Sequence, residues 1–291
     1  MLKLLVGLFL ALHLYGSTHI VLLGDPHLPG KNPLAKERLL ETINGWSNVD
    51  MVVALGDICS RSCTHEELTY AKRYFSKLTK PRYLINGNHD YIYEDHTEET
   101  APLKHASYET QMQKLKHFQE TFSLPKLYYS VHKEPFLLIF LSADDPKHLA
   151  QLSHEQVAWF QHELSLHPKT PTIVFFHAPL NNTLENYNKY ANTPNFIAQP
   201  KEAIHEIIMH NPQLFLWLSG HTHTPLKEPS FTSAINRYQH VYNLHNTDLN
   251  KESIYTHSLF LEDKKVIIKT YNHHTEEWLN AYEREVAVPK F

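Results

Sequence analysis

The sequence predicts an α/β fold with largely parallel central strands, each followed by a helix packed on the sheet, and a second sheet packed on the first. Two observations predict it. Short apolar, β-branched runs recur at HIVLLG, DMVVALG, PRYLING, FLLIFLS, TIVFFH and LFLWLSG, as strands buried on both faces do. Helical patterns lie between them, near 34–46, 65–78, 105–121, 153–166 and 198–210.

In chain order, the run HIVLLG reads as the first strand and the pattern at 34–46 as the first helix. Capping boxes open the helices at 65–78 and 153–166, through Thr64 with Glu67 and Ser153 with Gln156. From Arg237 onward RYQHVYNL, IYTHSLFLED and KKVIIKTYN alternate polar with apolar between short turns, the pattern of antiparallel strands and the source of the expected second sheet. No repeat, low-complexity tract or long linker interrupts residues 17–291, which therefore read as one domain.

Residues 1–16, MLKLLVGLFLALHLYG, carry one Lys and then an apolar run from Leu4 to Leu12, of signal-peptide length and too short to span a bilayer. They predict export to a periplasm or the exterior. Bulky Leu14 and Tyr15 stand where a cleavage site wants small residues, so an uncleaved membrane anchor is the second reading. A cytoplasmic protein with this run folded inside is the third.

The 42% hydrophobic content of 291 residues is enough for a sizeable core. With 27 basic against 31 acidic residues the formal charge is -4, which offers no broad attraction to a polyanion and argues against nucleic acid as partner. Histidine is so frequent, at 23 residues, that only spacing and context can single one out. Cys59 and Cys63 lack the spacing of a zinc site and read as ordinary thiols, with a local disulfide as the alternative in an oxidising compartment. Nothing in the sequence bears on oligomeric state.

Four glycines directly precede a polar cluster at a strand end: Gly24-Asp25, Gly56-Asp57, Gly87-Asn88 and Gly220-His221. Glycine there lets the chain turn sharply and lets a bound ion or phosphate approach the backbone. Strand ends of an α/β sheet are also where ligands bind. Collected in order, these ends carry Asp25, His27, Asp57, Asn88, His89, Asp90, His177, His221 and His223. Carboxylate, imidazole and amide oxygen without thiolate suit Mn, Fe or Zn. Asp25, His27, Asp57, Asn88, His177, His221 and His223 exceed what one tetrahedral ion needs and match two ions sharing a carboxylate. No GxSxG elbow or glycine-rich phosphate loop competes with that reading.

The blocks DPH, GDICSR, GNHD, FFHAP and GHTH, in that order between residues 19 and 225, resemble the calcineurin-like metallophosphoesterase family. The resemblance implies a four-layer α/β/β/α sandwich, two mixed sheets flanked by helices. It implies one metal held by Asp25, His27, Asp57 and His223 and another by Asp57, Asn88, His177 and His221, with a hydroxide between them as nucleophile. His89 would face the phosphate as acid or charge stabiliser, Asp90 would orient its ring, and Arg61 would contact phosphate oxygens. Asp90 replaces the Glu of protein Ser/Thr phosphatases, and GDICSR lacks their second aspartate, which argues against a protein-phosphatase role. The stretch KKVIIKTYNHHTEEWL is similar to the branch containing cyclic-nucleotide and glycerophosphodiester phosphodiesterases, which favours a small phosphodiester substrate. The alternatives are a phosphomonoesterase or pyrophosphatase acting on a nucleotide or lipid-linked substrate, and a catalytically silent protein-binding scaffold. Membrane contact is expected only through residues 1–16.

Overall fold

All six residues of β1 (Thr18–Leu23) are buried, and its alternation sorts them between two environments. Ile20 and Leu22 point one way, toward a second sheet; Val21 and Leu23 point the other, toward helices. β2 (Met51–Leu55) repeats the division, with Val53 and Leu55 inward and Val52 and Ala54 outward. This two-sided burial is why neither strand shows a polar alternation in sequence. The structure is a computed structural model, and it describes residues 17–95, 101–184, 189–228, 236–251 and 254–291. Residues 1–16, expected to be a signal or anchor, lie outside them. Among the described residues no helix is long and apolar enough to cross a membrane.

The first sheet runs in the order β12, β11, β10, β1, β2, β3, with β13 paired to β11. Here β3 is Arg82–Ile85, β10 Tyr255–Leu261, β11 Lys265–Asn272, β12 Glu277–Trp278 and β13 Arg284–Ala287. β1, β2 and β3 are parallel, while β10 pairs antiparallel with β1 and β11 with β10. The second sheet runs β4, β5, β6, β7, β9, β8, formed by Tyr129–Lys133, Phe136–Phe140, Thr172–Phe175, Leu214–Ser219, Val241–His245 and Arg237–Tyr238. β5, β6, β7 and β9 are parallel. Side chains from β1, β2, β5, β6 and β7 fill the space between the sheets.

Helices α1 (Pro33–Gly45) and α2 (His65–Ser76) cover the outer face of the first sheet through Leu39, Leu40, Ile43, Leu68, Ala71 and Phe75. α4 (His154–Leu166) and α5 (Lys201–His210) cover the second through Phe160, Leu164, Ile204, Ile207 and Ile208. α3 (Tyr108–Thr121) packs Phe118 into the α2 side. The layers are helix, sheet, sheet, helix, as the resemblance implies.

Three expectations need correction. The late strands do not make a sheet of their own: β8 and β9 complete the second sheet, and β10 to β13 extend the first on the far side of β1. Ser153 caps α4, its hydroxyl accepting from the N–H of Gln156, but Gln156 does not return the bond. Its amide brackets the backbone of Ser142, accepting from the N–H at 3.0 Å and donating to the carbonyl at 2.7 Å, so the second half of the capping box is missing. Cys59 and Cys63 form a disulfide instead of two thiols. The SRS turn between them doubles back, with Cys63 at φ 53°, and brings the Cα atoms to 5.0 Å.

Candidate metal centre

The C-terminal ends of β1, β2 and β3 in one sheet and of β6 and β7 in the other meet at a common rim. Asp25, Asp57, Asn88, His177 and His221 follow those five ends, and His27 and His223 lie two residues beyond. Asp25, His27, Asp57, His221 and His223 all adopt positive φ, between 39° and 65°. Such backbone costs an L residue about 1–3 kcal/mol and persists where its surroundings enforce it. At these strand ends the left-handed angles are thus taken mainly by the functional residues themselves. Of the four strand-end glycines only Gly56, at φ 89°, needs its freedom for rotation. Gly87 is required for space: a Cβ there would strike the Asp57 carboxylate and sit 2.6 Å from His177 Nε2.

Two clusters form, each with ligand atoms within 4.8 Å of one another: Asp25, His27, Asp57 and His223, and Asp57, His177 and His221. Asn88 joins the second, its Oδ1 3.2 Å from His177 Nε2. Its amide nitrogen donates to Tyr93 Oη at 3.3 Å, which turns the oxygen toward the cluster. Asp57 belongs to both clusters, 3.3 Å from His177 Nε2 through Oδ1 and 3.9 Å from His27 Nε2 through Oδ2.

Partners outside the clusters fix the histidine tautomers. His177 Nδ1–H donates to Leu55 O at 2.8 Å and leaves Nε2 free to ligate. His221 Nε2–H donates to Asn195 O at 2.8 Å and leaves Nδ1. His223 places Nδ1 3.3 Å from Asp248 Oδ2 and Nε2 2.9 Å from Asp25 Oδ2.

Burial opposes ionisation of Asp25, but the hydrogen bond and charge of His223 and the charge of His177 hold its carboxyl below the usual range. Asp57 is likewise opposed by burial and is held well below that range by the charges of His177 and His89. Burial lowers His177 less than the neighbouring Asp57 and Asp25 raise it, so its pKa stands at about 9. His27 and His221 are brought by burial to about 4 and are neutral, with lone pairs available. Two buried carboxylates thus draw positive charge toward them, the demand that divalent cations satisfy.

The residues fit a dinuclear group. His27 Nε2 and His223 Nε2 face each other at 3.3 Å, and two imidazole lone pairs so placed need a proton or a cation between them. Buried Asp25 Oδ2 lies 2.9 Å from that same His223 Nε2, so carboxylate and imidazoles converge on one point. The donor set is nitrogen and oxygen throughout.

The sequence matches the calcineurin-like phosphoesterase family over residues 18–225. The chain belongs to that family. It is therefore a metal-dependent phosphoester hydrolase of a dinuclear class. No curated protein matches the sequence closely enough to count as a relative. Among solved structures, a dimetal phosphatase from Danio rerio superposes with TM-score 0.63 at 12% identity, covering 94% of this chain and all 100% of that one. A purple acid phosphatase from yellow lupin (Lupinus luteus) seeds gives 0.62 at 12% identity, covering 93% of this chain and 54% of that one. An anchor protein of the Plasmodium inner membrane complex gives 0.59 at 12%, covering 94% and 90%. These likenesses establish the phosphoesterase fold.

Around this family centre, His89 stands beside the first cluster, its ring centroid 5.1 Å from that of His27, and its backbone N–H donates to Asp57 Oδ1 at 2.8 Å. Its ring is oriented differently from expectation. Nδ1–H donates to Arg61 O at 2.6 Å, whereas Asp90 is occupied by the backbone N–H groups of Gly87, Ile58 and Cys59. Asp90 braces the loop that carries Asn88 and His89, and the Arg61 carbonyl holds the ring. The Arg61 guanidinium donates to Ala101 O. In the segment YIYEDH that follows Asp90, Tyr91 and Ile92 are core, Tyr93 reaches the site through Asn88, and His96 lies outside the described residues.

Asp248, Asn195 and Lys36 are site residues that sequence reading did not find. Lys36 is buried in α1, its Nζ donating to His27 O at 2.9 Å, Pro29 O at 3.2 Å and Asn250 Oδ1 at 3.0 Å, and so ties together the loops behind His27 and Asp248. Asp248 does follow a strand end, that of β9, but no glycine announces it. Asn195 acts through its carbonyl, for which a sequence holds no signal.

Proposed function

We propose that the chain hydrolyses a small phosphodiester at this centre, with Asp25, His27, Asp57 and His223 holding one ion and Asp57, Asn88, His177 and His221 the other. The observation that carries the reading is the pair of clusters sharing Asp57. A Mn, Fe or Zn pair, when bound, supplies Lewis acidity that ionises a water near neutral pH and offsets phosphoryl charge. Asp57, common to both groups, would hold both ions. His89, with Nδ1–H committed to Arg61 O, keeps Nε2 for the substrate, where it would give a proton to the departing alkoxide or stabilise its charge. Arg61 would reach phosphate oxygens after releasing Ala101 O.

The preference for diesters is supported by the stretch KKVIIKTYNHHTEEWL, which supplies β11 and β12. The fold alone does not decide between enzyme and scaffold, since one neighbour is named as an anchor. The ligand set favours the enzyme, because each expected position carries a residue that could ligate. The test is hydrolysis of p-nitrophenyl phosphate and bis(p-nitrophenyl) phosphate with added Mn²⁺. Faster, chelator-sensitive turnover of the diester is expected; faster monoester turnover would make the chain a phosphomonoesterase. Export through residues 1–16 is part of the proposal, checked by N-terminal sequencing of the secreted protein.

A further inference from the structure

The carbonyl that fixes the His89 ring belongs to Arg61, and Arg61 is the middle residue of the turn that Cys59 and Cys63 close. The same turn meets the GNHD segment a second time. Cys59 N–H donates to Asp90 Oδ1 at 2.8 Å, and both sulfurs lie within 4.8 Å of an Asp90 carboxylate oxygen. Asp90 Oδ2 in turn accepts the N–H of Gly87 at 2.8 Å. The segment that carries His89 is therefore tied to the disulfide-closed turn at its backbone, through Asp90, and at its ring, through Arg61.

The turn also has non-covalent holds. Glu67, in the first turn of α2, accepts from the Ser60 hydroxyl and, at 3.2 Å each, from the N–H groups of Ser62 and Thr64. Lys114 of α3 donates to Ser62 O. These fasten the neighbours of Arg61. The direction of the Arg61 carbonyl depends on the two soft backbone dihedrals beside it, and a covalent link from residue 59 to residue 63 restricts both.

We propose that the Cys59–Cys63 disulfide is a positioning element of the hydrolytic centre: by closing the turn it holds the Arg61 carbonyl on His89 Nδ1–H, and so keeps His89 Nε2 for the leaving group. This role rests on the hydrolytic reading above. Opening the link takes two electrons and two protons from a dithiol, which is oxidised to its own disulfide while Cys59 and Cys63 become thiols. The turn then loosens its hold on His89, so full turnover belongs to the oxidised chain.

The full chain carrying Cys59→Ala and Cys63→Val tests it against the wild type; Cys59→Ser with Cys63→Ser serves if that pair does not fold. Turnover of bis(p-nitrophenyl) phosphate with Mn²⁺ should fall about tenfold or more, with metal content unchanged. The same two substitutions added to His89→Ala should cost little beyond His89→Ala itself, because both losses run through one ring. Nitrogen NMR of the Zn²⁺-loaded chain reads that ring without any reaction. The His89 signal, identified by its absence in His89→Ala, should show the Nδ1–H tautomer in the wild type and lose it in the cysteine variant. Full turnover or an unchanged tautomer without the disulfide would overturn the role, since Glu67 and Lys114 would then suffice; so would equal losses with and without His89. A tautomer lost in a chain that hydrolyses no ester would sustain the hold on His89 and sink the hydrolytic reading. Hydrolysis with an unchanged tautomer would do the reverse.

Discussion

Asp57 is the residue on which both clusters depend, and it also accepts the N–H of His89. Asp57→Asn should lose both metals and activity together, read by metal analysis and hydrolysis on one preparation. His89 is not among the expected ligands, and its bond to Asp57 comes from the backbone N–H, so His89→Ala should reduce turnover by roughly 10²–10⁴-fold with metal content unchanged. Metal loss in that variant would mean that His89 has been given the wrong role. Asp248 acts at one remove, by holding His223 Nδ1 at 3.3 Å. Asp248→Asn is expected to weaken metal binding by about 10–100-fold, measured by competition with a chelator. At this scale the strand-end glycines made the turns at Asp25, Asp57, Asn88 and His221 legible, while His177 was legible from the apolar run that ends at it. Asp248 and Asn195 left no such mark. The partner of the His89 ring was misread for a related reason: sequence suggests the neighbouring Asp90 carboxylate, while the bond goes to the carbonyl of Arg61.

Elements show the same division between local and tertiary signals. Thr64 and Glu67 exchange both bonds of a capping box, the hydroxyl accepting at 3.3 Å and the carboxylate at 3.2 Å, so the start of α2 was legible. Thr64→Ala should cost about 1 kcal/mol in urea unfolding. The same pattern at Ser153 and Gln156 led elsewhere, since Gln156 is fully buried and serves Ser142 across the core. Gln156→Ala strands a buried N–H and a buried carbonyl, and should cost roughly 2 kcal/mol or more, well above a cap. A loss no larger than that of Thr64→Ala would contradict this assignment. β4 was not foreseen because it is a half-buried edge strand without an apolar run.

For the whole molecule, the parallel strands were legible because burial on both faces writes a continuous apolar run. Which sheet the late strands join was not, because alternation reports a half-exposed strand and says nothing of its neighbour. Stability should depend on pH through buried histidines outside the centre. Burial lowers His245 to about 4 and His257 to about 3 from an ordinary 6.5. Both are neutral in the fold, so their contribution is complete above pH 6.5 and is lost as pH falls toward those values. About 2 kcal/mol from each should be gone at pH 5, read as a falling urea midpoint; a flat midpoint from pH 7 to 5 would contradict it. The ligands come from both sheets, so metal binding should also raise resistance to unfolding, by about 2.7 kcal/mol at a hundredfold excess over Kd.

The most direct test is anomalous diffraction from crystals grown with Mn²⁺. Two peaks about 3.5–4 Å apart, both within bonding distance of Asp57, are the expected result. A single peak, or two that do not share Asp57, would contradict the dinuclear centre on which the proposed chemistry rests.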